Sequence, residues 1–503
     1  MEPIVLIHGF SAESEGTDPE DIKHIYGSLP DALRMEYGDA SVVEIDLGRY
    51  ISLDDGVTVD DISACLNRVL ESSKFSHLLD PGTRFNVIIH STGALVVRNW
   101  IRRHWNAETE PKCPVKRLIH LAGANLGSGW GHIGKTQLAK WIRVILGDEG
   151  RGIGVLNALE LGSDWTLNLH LDLLDKLSQK VGSEGPMEFC MIGSQAPPSW
   201  FIIPFRYGKE DGSDGVVRVS ASNLNFNYVR IEPSDSARAL SPSRVKNLSD
   251  DSGTSKGKVA DPNLSNYYEI KDHSIAGEDR PEIPFAVLFN CAHSGGDVGI
   301  VSGSDNREQV LNLIRTALST DLDTIDAARK SFGEATIGTY EMASKLPSKF
   351  FPECLQLIDQ RRQYDKHAQV IFRICDQNGT PLPHFSIYFN SKGGSSDANN
   401  SIDTLFEDKH SNEISPNIIT FYLRTTSYDQ VKGWVERVPY VHGCTLEIDA
   451  QEPDSDYVFY LPLQLTLSEE DLVRWIGPNR TTIVDVRLLR VPLEDVFILK
   501  TMS

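Results

Sequence analysis

The stretch Arg84-Phe-Asn-Val-Ile-Ile-His-Ser-Thr-Gly-Ala-Leu-Val-Val-Arg98 passes from an apolar, β-branched run into residues with helical apolar spacing, and the change falls at Ser91. A continuous apolar run is the pattern of a strand buried on both faces, so a strand is expected up to His90 and a helix from just after Ser91. A serine on such a sharp turn stands its hydroxyl clear of the sheet. The N–H groups of the helix N-terminus lie behind it, ready to face negative charge. Taken alone, Ser91 reads as well as a helix cap, a common task for serine.

Upstream, Pro3-Ile-Val-Leu-Ile-His-Gly-Phe10 is another buried-strand run, ending in His8-Gly9. With both pieces in place, the sequence resembles the α/β-hydrolase superfamily, and within it the lipase-like serine esterases that include GPI inositol-deacylase-like proteins. The resemblance implies Ser91 as nucleophile and an oxyanion hole formed by the backbone N–H groups of Phe10 and Thr92. The turn departs from the usual G-x-S-x-G, because Ile89 stands at the first glycine position while Gly93 keeps the second. Small residues are favoured there because strand and helix backbones crowd together, so a slightly different packing is expected around Ile89.

In this family the acid and then the histidine follow the nucleophile, each just past a strand end on the same sheet edge. The segment Asp211-Gly-Ser-Asp-Gly-Val-Val-Arg-Val-Ser220 resembles the D-G-x-V segment that carries the acid in many lipases, which implies Asp214, with Asp211 as the second choice. Read without the resemblance, it is a polar turn introducing a strand. Cys291-Ala-His-Ser-Gly-Gly296 follows the strand candidate Pro284–Asn290, and the resemblance makes His293 the general base. Among 14 histidines only His293 leaves a strand in this way; His273, in a polar stretch ahead of that strand, is the competitor. The implied chemistry is two-step acyl transfer, in which Ser91 attacks an ester carbonyl and His293 shuttles the proton. No C-x-x-C pair with matching histidines, H-E-x-x-H, calcium loop or phosphate-binding glycine loop is present, so neither metal nor cofactor is expected.

Helix from Glu20 to Tyr37, strand from Ala40 to Leu47 and helix from Val59 to Ser72 precede the nucleophile strand, and Val115–Ala122 and Met187–Ile192 read as strands after it. This alternation predicts an α/β, doubly wound, mainly parallel sheet over a catalytic region 1–320. A helical cap is expected at about 124–186, where Trp130, Trp141 and Trp165 are candidates to line an acyl pocket or to bury the cap's own inner face. The stretch of about 232–266 is polar and reads as a mobile insertion. Residues 321–365 read as a helical connector, with Ile325, Ala328, Phe332, Ala335 and Tyr340 at helical spacing. From 366 to 503 the pattern changes to short strands and turns, including Gln369–Cys375 and the turn Asp376-Gln-Asn-Gly379, the signature of an all-β sandwich-like domain.

A chain of 503 residues exceeds a single core. Its formal net charge of −21 argues against a nucleic-acid partner and against stable electrostatic docking to anionic membranes. Seven scattered cysteines read as reduced core residues rather than a disulfide framework. No signal peptide is visible and no apolar run reaches membrane-spanning length, so a cytoplasmic protein is expected, with signal-independent export compatible with the same features. The expected substrate is a lipid or phospholipid acyl ester, with a peripheral membrane or protein contact through the C-terminal β region by analogy with other lipases. A thioester, a polyester or an acylated protein would use the same machinery, and a catalytically silent binding scaffold is the reading from another class.

Overall fold

The computed structural model describes residues 2–8, 22–51, 54–105, 112–128, 152–177, 184–195, 210–252, 264–351, 356–391, 402–437 and 444–496. These fall into two compact units. The first takes in Met1–Asn225, Pro281–Lys366 and Ser427–Val435, and the second Phe226–Arg280, His367–Thr426 and Glu436–Ser503.

The first unit has the α/β-hydrolase fold. Its sheet consists of β1 (Ile4–His8), β2 (Val42–Asp46), β3 (Phe85–His90), β4 (Val115–Leu121), β5 (Met187–Gly193) and β6 (Phe285–Leu288), ordered β2-β1-β3-β4-β5-β6 with every pair parallel. The run Ile-Val-Leu-Ile in β1 and Val-Ile-Ile in β3 are apolar, and β4 and β5 are buried along nearly their whole length, because both sheet faces are covered.

Helix α1 spans Leu29–Tyr37, α2 Val59–Glu71 and α3 Gly93–His104. A reciprocal pair of bonds between Thr58 and Asp61 caps α2. Its Ile62, Leu66 and Val69 share one buried cluster with Val87 and Ile89 of β3 and with Leu95, Val97 and Trp100 of α3. Ile89, in the position where glycine is usual, is thus a core residue.

Of the expected cap, the described helices are α4 (Ile153–Leu159) and α5 (Asp164–Leu177). They pack against α2 and α3, contributing Val155, Ala158, Leu169 and Leu173 to the same cluster. Trp165 packs against this cluster: its indole N–H donates to Asp60 at 3.2 Å, and Arg102 lies over its ring. Trp130 and Trp141 lie outside the described residues, as does Phe10.

The expected connector is part of the first unit. Helix α6 (Arg307–Ser319) runs beside β4, where Arg117 donates to the Thr320 carbonyl at 2.7 Å. Helix α7 (Ile325–Ser344) packs along β6: Thr339 donates to the Val287 carbonyl at 2.7 Å, Thr336 accepts from the Val287 amide at 3.0 Å, and Phe332 meets Phe189 of β5 at 5.9 Å between centroids. The apolar spacing along 325–340 that suggested a connector is the face α7 presents to the sheet.

In the second unit a six-stranded mixed sheet runs Phe406–Ser411, Ile418–Arg424, His367–Asp376, Thr481–Leu488, Asn227–Pro233 and Tyr268–Ser274. A three-stranded antiparallel sheet of Phe385–Ser391, Cys444–Ala450 and Leu463–Leu467 shares its hydrophobic core. The sandwich-like, β-rich character matches expectation, but two of the pairings are parallel, and helices Pro242–Ser252 and Glu469–Trp475 accompany the sheets.

The polar stretch 232–266 is correspondingly not a mobile insertion over its described part. It leaves a strand that hydrogen-bonds into this sheet, and Ala237, Val245 and Leu248 enter the core, with Leu240 and Leu264 packed against it. A helix can be anchored by one sparse apolar stripe, which a polar average conceals.

Six cysteines, Cys65, Cys113, Cys190, Cys291, Cys375 and Cys444, are free, and Cys354 lies outside the described residues. No described helix is long and apolar enough to cross a membrane, and no group of potential metal ligands occurs among the described residues.

Beneath α3 the first unit buries an ionic network. Arg98 of α3 pairs with Glu188 of β5, which also meets His120 of β4 at 3.3 Å, while His170 of α5 contacts the Asn125 carbonyl. Burial pushes the Glu188 carboxyl up, but the adjacent Arg98 and His120 outweigh it and hold the group down at about 2. Burial also keeps His120 and His170 uncharged, pushing His170 down to about 3.

Groups depressed in the fold contribute stability above their unfolded pKa and lose it as pH falls toward the folded value. Stability should therefore decline as pH drops below about 6.5, the unfolded histidine value, with Glu188 adding to the loss near the bottom of the range. Thermal melts from pH 7.5 to 4.5 check this, and His170→Gln, which has no proton to take up, should lose less of its Tm over that interval.

Candidate functional site

Ser91 follows β3 directly and adopts φ 54°, the left-handed region that a non-glycine residue enters only under constraint. The constraint is visible on both sides. Its N–H donates to the Leu121 carbonyl at the end of β4 at 3.2 Å, and its carbonyl accepts from Ala94 in α3 and from Ala124, each at 3.2 Å. The turn is crowded, since a Cβ on Gly123 would lie 3.1 Å from that of Ala94. Thr92 is the residue just before α3, where the first amides of a helix have no intrahelical acceptor, so its N–H belongs to the end that favours negative charge.

Asp214 is fully buried in the loop that follows β5. One carboxylate oxygen, Oδ1, accepts from the amides of Val216 at 2.9 Å and Val217 at 2.8 Å, which fixes the side chain and leaves Oδ2 available. Oδ2 meets Nδ1 of His293 at 2.8 Å, and Nε2 of the same ring lies 3.0 Å from the Ser91 hydroxyl oxygen. The His293 amide also donates to the Asp214 carbonyl at 3.0 Å, tying the two loops together through their main chains.

The three side chains, drawn from loops beyond β3, β5 and β6, thus form one line of hydrogen bonds, and the structure brings together all three residues expected from the sequence. The alternatives lie elsewhere. Asp211 pairs with Arg362 at 3.5 Å. His273 sits on the exposed strand Tyr268–Ser274 of the second unit, bonded to Asp279 at 2.8 Å; it lies on a strand after all, but not one of the parallel sheet. Cys291, two residues before His293, offers no competing nucleophile: burial, with the Asp214 carboxylate adding to it, pushes its thiol up.

A support absent from the sequence reading comes from residues 363 and 364, at the end of the expected connector. The Gln363 carbonyl accepts from the Gly212 amide at 3.0 Å and from the Ser194 hydroxyl at 2.7 Å. Tyr364, stacked on Phe289, donates its hydroxyl to Gln195 at 3.0 Å and accepts from the Asn290 amide at 3.2 Å. One short segment thereby anchors the loops leaving β5 and β6. No local pattern signals this, because the bonds run through main-chain atoms and one tyrosine hydroxyl.

Neither a protein-family model nor a curated protein matches the sequence. Among solved structures, phospholipase PlaB from Legionella pneumophila is similar along the whole chain, with a TM-score of 0.74 and 24% identity over 100% of this chain and 96% of that one. The same phospholipase in complex with thio-NAD gives a TM-score of 0.74 at 23% identity, covering 100% and 97%. Lipase BlEst2 from Bacillus licheniformis, in mature form, aligns over 44% of this chain and 78% of its own, with a TM-score of 0.29 and 18% identity. At this identity the full-length likeness speaks to the fold. The likeness is to a phospholipase and lends no support to the GPI inositol-deacylase-like branch that the sequence also suggested.

The closeness of the loops yields a test of packing. A Cβ on Gly193, at the end of β5, would lie 1.8 Å from the Cys291 carbonyl oxygen. Gly193→Ala must displace main chain two residues from His293, at a cost of about 1–3 kcal/mol. Differential scanning calorimetry should show a Tm lower by roughly 2–4 °C.

Proposed function

We propose that this protein is a serine hydrolase of carboxylic esters, with lipid or phospholipid acyl esters as its substrates. The observation that carries the reading is a single imidazole, that of His293, within 3.0 Å of the Ser91 hydroxyl and 2.8 Å of the Asp214 carboxylate. In this arrangement His293 takes the proton from Ser91 as its oxygen attacks the ester carbonyl, and Asp214 holds the ring in the required tautomer and stabilises the imidazolium that forms. His293 then passes the proton to the leaving alcohol, and water repeats the sequence on the acyl-enzyme.

The Thr92 amide supplies one donor to the tetrahedral oxyanion, and the Phe10 amide is proposed as the second. The positive end of α3 points at the same place, so the charge developing on the carbonyl oxygen meets fixed dipoles that need no reorganisation.

The lipid assignment is supported by the likeness to a phospholipase over the whole chain. The six free cysteines favour a reducing, cytoplasmic setting.

A fluorophosphonate probe should label wild-type protein at Ser91 and leave Ser91→Ala unlabelled. Acyl release from a mixed lipid extract should fall to background in Ser91→Ala and His293→Ala, and by about 10⁴-fold in Asp214→Asn, which imposes the wrong tautomer. Labelled protein that releases no fatty acid but cleaves an acyl thioester would move the substrate class, and folded wild-type protein that takes no label would remove the hydrolase reading.

A further inference from the structure

The main chain and ring of His293 together present four polar atoms, and each has a partner. Its amide N–H and its Nδ1 both engage Asp214, and its Nε2 faces Ser91. The fourth, the main-chain carbonyl oxygen, accepts from Nε2 of His90 at 3.1 Å. His90 is the residue immediately before Ser91. It is buried, and its ring lies 4.7 Å from the ring of His293 between centroids.

The geometry settles the protonation of His90. A carbonyl can only accept, so the proton must be on Nε2, which leaves Nδ1 as a bare acceptor. That Nδ1 is buried and has no partner among the described residues. A second proton there would create an unsatisfied buried donor and a positive charge against an imidazole that must itself become cationic during the reaction. Burial, with His293 and then His8 adding to it, holds the His90 pKa well below the usual histidine value. The ring is thus held as a neutral donor, its Nε2–H directed at the His293 carbonyl.

That bond closes a short circuit. The loop carrying His293 is folded on itself, with the Ala292 amide bonded to the Val298 carbonyl at 2.8 Å and the Ile300 amide to the Ala292 carbonyl at 2.9 Å. The acid loop grips it from one side. His90 grips it from the other, and does so from the strand end that delivers the nucleophile. The distance between Nε2 and the serine oxygen is therefore governed by two adjacent residues, one presenting the hydroxyl and the other holding the main chain of its base.

We propose that His90 is a positioning residue that holds the His293 main chain in register with Ser91, and so sets the rate at which the serine is acylated. This rests on the serine-hydrolase reading above. A shift of about 1 Å between reacting groups costs on the order of 10²-fold in rate, so loosening one of the grips on His293 should be felt in kcat.

The test uses the full chain in three forms. His90→Phe keeps the ring's volume but donates nothing, whereas His90→Gln carries an amide N–H at about the reach of Nε2. Each is assayed for the rate of fluorophosphonate labelling at Ser91, for kcat and KM on a short-chain p-nitrophenyl ester, and for Tm. The expected result is a fall of about tenfold or more in labelling rate and kcat for His90→Phe with KM nearly unchanged, and recovery of most of that loss in His90→Gln. If His90→Phe does not fold, the low-field proton NMR signal of the His293 Nδ1–H should persist in wild type and His90→Gln, and its loss from a folded His90→Gln would count against the proposal. Equal labelling rates in all three forms, or equal slowing in Phe and Gln variants of unchanged Tm, would overturn the role of the donor while leaving the hydrolase reading intact. Wild-type protein that takes no label would remove both.

Discussion

A serine held at φ 54° at the rim of a parallel sheet is the constraint on which the rest of the first unit depends. Left-handed backbone at a non-glycine residue costs about 1–3 kcal/mol, and it persists only where the surroundings leave no alternative. Two further strand ends at the same rim show the same feature, Ala122 beyond β4 and Asn290 beyond β6, both at φ 49°. Each marks a chain that turns sharply off a strand while its amide stays bonded, Ala122 to the Met191 carbonyl at 2.8 Å and Asn290 to the Tyr364 hydroxyl at 3.2 Å. The Ser91 carbonyl binds the Ala124 amide just past one of these turns, and the Asn290 amide binds the Tyr364 hydroxyl at the other. The rim is a set of mutually supporting bends, and this is what gives three side chains from distant sequence positions a fixed common meeting point.

Below that rim, rigidity has an electrostatic component. Arg98 on the helix that follows Ser91 is buried against Glu188 of β5, which in turn meets His120 of β4. Breaking a buried pair leaves an uncompensated charge, at a cost of about 3–5 kcal/mol, so the pair resists any movement of α3 relative to β4 and β5. The helix whose N-terminus faces the serine is therefore fixed by charge as well as by its apolar contacts with α2. The same burial that secures this arrangement makes it sensitive to acid, because histidines kept neutral in the fold take up protons once the chain opens.

Much of the sheet could be read from residue order. Runs such as Ile4–Ile7 and Val87–Ile89 have the unbroken apolar character of parallel strands covered on both sides, and the switch to helical spacing after Ser91 places the turn. Other features were misread for identifiable reasons. The stretch 232–266 averages as polar, yet Ala237, Val245 and Leu248 are enough to anchor it to the second core. Residues 325–340 show a single apolar stripe, and a stripe does not say which surface it covers; here it is β6 rather than the space between two bodies.

What the sequence by itself determined was the parallel sheet and the position of the strand-to-helix turn, because these follow from local periodicity and from the spacing of turn residues; the order Ser91, Asp214, His293 was legible only through the resemblance to α/β-hydrolases. Tertiary structure alone decided that one imidazole reaches both Ser91 and Asp214, that Gln363 and Tyr364 secure the loops around them, that His90 closes on the carbonyl of His293, and that a strand from 227–233 joins strands more than a hundred residues away. The reason is physical. Periodicity is a property of neighbouring residues, whereas a hydrogen bond between segments far apart in the chain exists only once the intervening chain has folded and brought its donor and acceptor within about 3 Å.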